Sequence, residues 1–410
     1  MYGGLKRNVA TFWNSYSVVI LSCLLLLSTG LQKLNLVQLG SAGIKPIHII
    51  VIAVFLFNFK QIRLRPQITP LALQLTFFGV WSIAIAATSY FDMMSLNLLF
   101  SAFTLIVLSS AFNWEFSHTL LGLRIAAAII LATTTITILL NFGEYQNAIS
   151  AGLESGARPL AEGPFFSGGI NIQASWIAIF GALFSRSIRW FAIYFIPALA
   201  VQLFYMSRAG LLALIIVAIF TLVYHRRSIL IRLGKTVTAV VVISILVVSS
   251  FIISISGLWG RFLIIGAEPG SQGRLKLWSV ALDSINDRPL IGWGAGNEVA
   301  VFRNHFSTNI LEDNLHNSFL TALFTAGVLG LLVYLLTTFL ELYRLSKWVE
   351  PFILLVSFCF VSLLEFRLAE LPVLVPLALL VGALAGPARS SIQGKKSRVK
   401  NTTFSTHDKK

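Results

Sequence analysis

Three side chains in this sequence have the right types, at the edges of apolar runs, to act together on an anionic substrate. Arg208 stands in Tyr205-Met206-Ser207-Arg208-Ala209-Gly210, between two hydrophobic stretches. Arg274 stands in Gly273-Arg274-Leu275-Lys276-Leu277-Trp278, and His316 in Asn314-Leu315-His316-Asn317-Ser318, just before another hydrophobic stretch. Guanidinium groups match phosphate oxygens in pairs and never lose their charge. An imidazole accepts a proton near neutral pH. Two cations and one base suit a sugar carried on a lipid diphosphate: the cations hold the diphosphate and stabilise the charge it gains on leaving. Each residue also has a plain reading. A boundary histidine is ordinarily an interfacial side chain, and a boundary arginine anchors to a phospholipid head group. No His, Cys, Asp or Glu cluster has metal-ligand spacing, so neither a metal nor another cofactor is expected. Cys23 and Cys359 both lie inside apolar runs, which argues against a disulfide framework.

The elements that must position these residues are membrane helices. The 410 residues are 56% hydrophobic and 11% charged, with mean hydropathy +0.82; soluble domains carry roughly 25% charge. The net charge of +15 could suggest nucleic acid, but the basic residues sit in short connections and in the tail, the pattern of membrane topology and not of a nucleic-acid face. Runs long enough to approach the roughly 20 residues of a span fall at 14–31, 43–59, 70–88, 96–113, 119–142, 170–185, 189–206, 209–224, 236–257, 318–340, 349–366 and 371–387. The expected fold is an all-α polytopic membrane protein with about twelve transmembrane helices. With the N-terminus inside, about two thirds of the 31 Lys and Arg fall in inner segments, which places both termini in the cytoplasm. The run after Lys6 and Arg7 lacks a signal-peptidase-like site, so an uncleaved first helix is expected.

This layout gives helices 1–5 over 1–142, an outer loop over 143–169, helices 6–9 over 170–257, a large outer loop over 258–317, helices 10–12 over 318–387, and a basic inner tail over 388–410. In the large loop, Trp278, Ala281, Leu282 and Ile285 recur at helical spacing and predict an amphipathic helix on the outer leaflet. Arg274 and Lys276 are placed in its first turn, where backbone N–H groups favour an anion. The glycines of Pro289-Leu290-Ile291-Gly292-Trp293-Gly294-Ala295-Gly296-Asn297 read as a tight backbone turn and not as a nucleotide loop, since no strand precedes them. Glu365 and Arg367 also fall at the outer boundary, where they could pair with each other or with the site. A transporter or flippase is the rival class, but its polar sites would lie near the midplane.

In order and context, four stretches resemble the O-antigen ligase and polymerase family of bacterial envelope enzymes: Ser207-Arg208-Ala209-Gly210, Gly273 to Trp278, Pro289 to Gly294, and His316-Asn317-Ser318-Phe319-Leu320 with Gly327-Val328-Leu329-Gly330. The resemblance implies an all-helical, inverting, metal-independent glycosyltransferase of the bacterial inner membrane, working at the periplasmic face. Arg208 and Arg274 would hold the undecaprenyl diphosphate of the glycan donor, and His316 would activate or position the acceptor hydroxyl. Arg261, Lys276 and Asn317 would assist in substrate binding. A ligase would use lipid A–core as acceptor and a polymerase a second lipid-linked glycan. The sequence is read as a ligase first. The run of Gly292, Gly294, Gly296 and Asn297 speaks for the polymerase.

Overall fold

The computed structural model describes residues 2–31, 34, 36–39, 42–64, 66–111, 115–150, 161–166, 169–226, 269–306 and 314–385. The expected span at 236–257, Arg261 and the basic tail lie outside the described residues. The helices are α1 (Tyr2–Gly30), α2 (Pro46–Leu64), α3 (Pro70–Ile85), α4 (Met94–Ser110), α5 (Phe116–Leu140), α6 (Phe142–Ser150), α7 (Ile170–Phe180) with a 3-10 extension (Gly181–Phe184), α8 (Ile188–Phe204) and α9 (Arg208–Arg226). They continue as α10 (Pro269–Asp287), α11 (Glu298–Phe306), α12 (Ser318–Leu345), α13 (Val349–Val361) and α14 (Leu371–Ala385). A three-residue antiparallel ladder, β1 (Val37–Leu39) with β2 (Ala42–Ile44), joins α1 to α2.

Among the described residues three helices, α5, α9 and α12, are long and apolar enough to cross a membrane, and eight shorter apolar helices accompany them. These eleven coincide with eleven of the twelve expected runs. Their surface is the reverse of a soluble protein's: Phe57 is 89% exposed and Leu140 80%. Such side chains suit a lipid solvent. Several hydroxyls within the helices bond back to their own turns, as Thr76 does to Ala72 O, Thr104 to Phe100 O and Thr137 to Thr133 O. That satisfies them where water is absent.

Side-chain and loop contacts sort the helix termini into two ends. At one, Arg124 Nε donates to Leu183 O (2.7 Å), its guanidinium lies 4.0 Å from Glu350, His225 Nε2 meets Ser185 O (2.8 Å), and Arg186 covers the Phe116 ring. Arg189, Arg226, Arg344 and Lys347 belong to the same turns and helix ends, so this is the basic end. At the other, Phe166 N bonds Gly30 O, Tyr145 stacks on Tyr205, and Ser318 N bonds Ser362 O (2.8 Å). The start of α7, the α8–α9 turn, the start of α12 and the α13–α14 turn meet here.

The described part of the large loop, 269–306 and 314–317, is folded at this second end. Leu277, Ala281 and Ile285 of α10 join Trp293, Val301 and Phe302, Leu315, and Phe324 of α12 in a small separate core. The buried face of α10 therefore differs from the expected one. Leu277 replaces Leu282, which is 50% exposed, because the helix packs its buried face against α11 and α12 and Leu282 lies off that face. The helix also begins earlier than expected, at Pro269, a residue suited to a first turn. Arg274 and Lys276 thus sit in its second turn, and the N-terminal N–H groups are not what accounts for Arg274.

The expected tight turn at the glycine run is present, with positive φ at Gly292, Gly294 and Gly296. It clasps a break in α12. Ala326 and Gly327 leave the helical conformation, Trp293 N and Gly294 N bond the freed carbonyls of Phe324 and Thr325 (2.8 and 3.0 Å), and Val328 N bonds Pro289 O (2.8 Å). Gly327, at φ 63° and ψ −159°, occupies a region that is essentially glycine-only. A Cβ there would lie 2.4 Å from the Leu290 carbonyl carbon. Gly327→Ala is expected to cost about 3 kcal/mol or more, strain and clash combined. The measurement is thermal unfolding in detergent followed by intrinsic fluorescence, and an unchanged midpoint would contradict the clasp.

Candidate functional site

His316 is set by its neighbours before its ring does anything. Its own N–H donates to Asn314 Oδ1 (3.0 Å), its φ is +51°, and Asn317 then caps α12 by accepting from Leu320 N (3.0 Å). Left-handed backbone costs a non-glycine residue about 1 kcal/mol or more. Among the described residues only Phe166, Met206 and His316 are non-glycines with positive φ. Phe166 is tied to the end of α1, Met206 lies two residues before Arg208, and the third is His316 itself. All three lie at the end of the bundle opposite the basic one. Strain concentrates where function constrains geometry. Asn317, expected as a substrate ligand, has its side-chain oxygen engaged in the cap.

Arg274 projects from α10 to Glu365, with Nη2 2.9 Å from Oε1. Glu365 is only 3% exposed, whereas the Arg274 side chain keeps 30% of its surface. A buried carboxylate thus holds the guanidinium while leaving part of it open. One turn further along α10, Trp278 Nε1 donates to Leu315 O (2.7 Å), the peptide preceding His316. The α13–α14 turn carrying Glu365 is bound to the same point, since Ser318 Oγ donates to Phe366 O and Arg367 O (3.0 Å each). Arg274, Glu365 and His316 are therefore held by one short set of hydrogen bonds between α10, the start of α12 and that turn. Lys276 is exposed on α10. Arg261 lies outside the described residues.

Arg208 opens α9, half-buried. Ser207 Oγ accepts from Gly210 N (3.2 Å) and starts the helix. The preceding turn is held through Tyr205, whose hydroxyl donates to Gln173 Oε1 (2.9 Å), while Gln173 Nε2 donates to Gly163 O and Phe165 O. Three residues along α7, Trp176 stacks on Phe366 with ring centroids 4.2 Å apart. A continuous path of packed and bonded groups thus runs from the turn before Arg208 through α7 to the turn bearing Glu365. Sequence reading missed Gln173 and Tyr205. Their only signal was a pair of polar groups in apolar runs.

Cys23 and Cys359 are both free. Among the described residues no group of three or more His, Cys, Asp or Glu side chains gathers as metal ligands would.

The helices and their lipid-suited surface fit an all-α membrane protein, with a charged cluster at one end of the bundle. Residues 192–335, a little over a third of the chain, match the family described as O-antigen ligase. Over these residues the chain is similar to the O-antigen ligase family, the one the motifs resemble. The match includes Arg208, Arg274 and His316, and stops before Glu365. No curated protein matches the chain.

Proposed function

We propose that the protein transfers a glycan from undecaprenyl diphosphate to an acceptor hydroxyl at the periplasmic face of the bacterial inner membrane, as a ligase acting on lipid A–core. Arg274 and Arg208 hold the diphosphate. His316 takes the proton of the acceptor hydroxyl as that oxygen bonds to the anomeric carbon. The bond from that carbon to the phosphate oxygen breaks, and undecaprenyl diphosphate departs with its new charge on the two guanidiniums. A single displacement of this kind inverts the anomeric centre, and the leaving group supplies the driving force without a metal. The observation that carries the reading is the fixed, left-handed His316 tied through Trp278 and Ser318 to the Arg274–Glu365 pair. The orientation, with both termini cytoplasmic, is supported by the grouping of Arg186, Arg189, Arg226, Arg344 and Lys347 at the opposite end.

The second reading, a polymerase that joins lipid-linked repeat units, is favoured by the glycine clasp at 292–296. One experiment separates them: lipopolysaccharide from a strain deleted for this gene, run on a gel. A ligase predicts bare core with long polymer accumulating on the carrier lipid. A polymerase predicts core bearing a single repeat. Ladders like those of the parent strain would refute both.

A further inference from the structure

The α12 helix doubles back at Ala326 and Gly327. The rings of Phe319 and Tyr334 lie 5.1 Å apart, centroid to centroid, and a Cβ on Gly330 would lie 2.6 Å from Ala322 O. In a straight helix Phe319 and Tyr334 would stand about 22 Å apart. Residues 318–325 therefore fold back along 328–345 as a half-helix, and only 328–345 runs the height of the bundle. Along that longer part, Tyr334 lies about 9 Å nearer the basic end than Val328 does, and the start of the half-helix has descended to its level. A second ruler agrees. The segment 328–345 rises about 26 Å from the turn at 346–348, whereas α13 rises only about 18 Å from the same turn. Ser318 N bonds Ser362 O, at the top of the shorter helix. The α10 helix stands beside the half-helix. Trp278 Nε1 meets Leu315 O near one end, and Pro289 O, just past the other, accepts from Val328 N. His316, Arg274 and Glu365 thus lie well below the level of the glycine clasp.

The clasp itself carries the side chains of a membrane interface. Leu290 is 70% exposed, and Ile291, Val328 and Leu329 are exposed beside it. Trp81 Nε1 donates to Ile291 O (2.8 Å), and the Arg288 guanidinium lies 4.2 Å from the Trp293 ring centroid. Apolar groups below and indole and guanidinium groups above are how a chain meets the head-group boundary. The backbone below that boundary is satisfied by protein groups. His316 N donates to Asn314 Oδ1, Leu315 O accepts from Trp278 and Ser318 N reaches Ser362 O, while Trp293 N and Gly294 N serve the carbonyls freed at the break. Non-helical backbone at membrane depth is tolerated when it is provided for in this way. Resting on the transferase reading above, we propose that 318–325 is a re-entrant half-helix that lowers His316, Arg274 and Glu365 about 10 Å below the outer interface, so that the lipid diphosphate reacts at acyl-chain depth. The glycine clasp then sets the depth of the base. Charge–charge interactions strengthen away from bulk water, so Arg274 stabilises a departing diphosphate better there than at the head groups. Between turnovers the buried Glu365 balances it.

The test is a depth measurement on the full chain in lipid nanodiscs. Ser279 and Asn286 are both exposed and lie two turns apart on one face of α10. A small fluorophore is placed on Ser279→Cys or Asn286→Cys after Cys23→Ala and Cys359→Ala. A second set keeps both natural cysteines and carries the label on a genetically encoded azido residue at 279 or 286, so that no result rests on the cysteine-free chain. Quenching by lipids bearing a nitroxide at the head group or at mid-chain reports depth. The 279 label is expected about 10 Å deeper than the 286 label, with mid-chain nitroxides quenching it best and head-group nitroxides quenching 286 best. Equal depths, or a 279 label at head-group depth, overturn the re-entrant half-helix. One equivalent of undecaprenyl diphosphate carrying a nitroxide on its terminal phosphate is then added to nanodiscs of plain lipid. It is expected to quench 279 more than 286, and Arg274→Gln with Glu365→Gln removes that quenching. Stronger quenching at 286 puts the diphosphate at the interface and overturns its reaction at depth. Failure of the transferase reading looks different: the 10 Å offset between the labels persists, the nitroxide diphosphate quenches neither, and the unaltered protein transfers no glycan.

Discussion

Replacing His316 with asparagine is expected to lower glycan transfer by at least about a hundredfold while leaving the thermal midpoint unchanged or slightly raised. The two halves of that outcome come from different parts of the residue. The backbone at 316 is left-handed, at φ +51°, and its N–H is held by Asn314 Oδ1. Asparagine accepts that conformation at least as readily as histidine, so the start of α12 and the Asn317 cap stay in place. What disappears is the imidazole, the group proposed to receive the proton of the acceptor hydroxyl. His316→Ala is the informative contrast. It loses the base and also places a residue poorly suited to positive φ, at a cost of about 1 kcal/mol. Transfer assayed with purified protein in lipid nanodiscs, beside unfolding of the same samples, separates the effects. A His316→Asn protein that transfers at the original rate removes the histidine from the chemistry.

The same residue shows where sequence reading stops. Hydropathy located eleven helices because lipid imposes one simple demand, a long apolar run that satisfies its own backbone. It also marked Arg208, Arg274 and His316, since ionisable groups at the ends of such runs stand out. It read the glycine run correctly as a tight turn, yet gave no hint that the turn clasps a break at Ala326 and Gly327. Nothing periodic links residues 289–294 to 324–328. The face of α10 was misread for a related reason. Trp278, Ala281, Leu282 and Ile285 fit a helical stripe, and Leu277 was equally available. Packing on α11 and α12 decided between them. Partnerships across long separations were the least legible. Glu365 and Arg367 were noted as boundary charges that could pair with each other or with the site. That Glu365 turns to Arg274, 91 positions away, is set by the fold of the large loop and has no local signature.

The Arg274–Glu365 pair carries the second large expected effect, and its sign depends on how it is broken. Arg274→Ala removes the guanidinium and leaves Glu365, 3% exposed, without its partner. An uncompensated buried carboxylate costs about 3–5 kcal/mol when fully desolvated. Here the cost is smaller, because the Arg274 side of the pair is 30% open to solvent. Loss of activity in that variant would therefore mix a missing phosphate ligand with a loosened α13–α14 turn. Glu365→Gln isolates positioning. The guanidinium remains, held by a neutral amide, and activity is expected to fall about tenfold, mainly as weaker donor binding. Arg274→Gln combined with Glu365→Gln isolates the charge. The pair becomes neutral, no ion is stranded, and the thermal midpoint is expected to stay close to that of the unaltered protein. Transfer nevertheless falls by about a hundredfold or more, because the α10 guanidinium that stabilises the departing diphosphate is gone. Steady-state transfer with varied donor, set beside unfolding of the same three proteins, distinguishes the cases. If the double variant transfers at the rate of Glu365→Gln, Arg274 contributes only to structure and the diphosphate is held elsewhere.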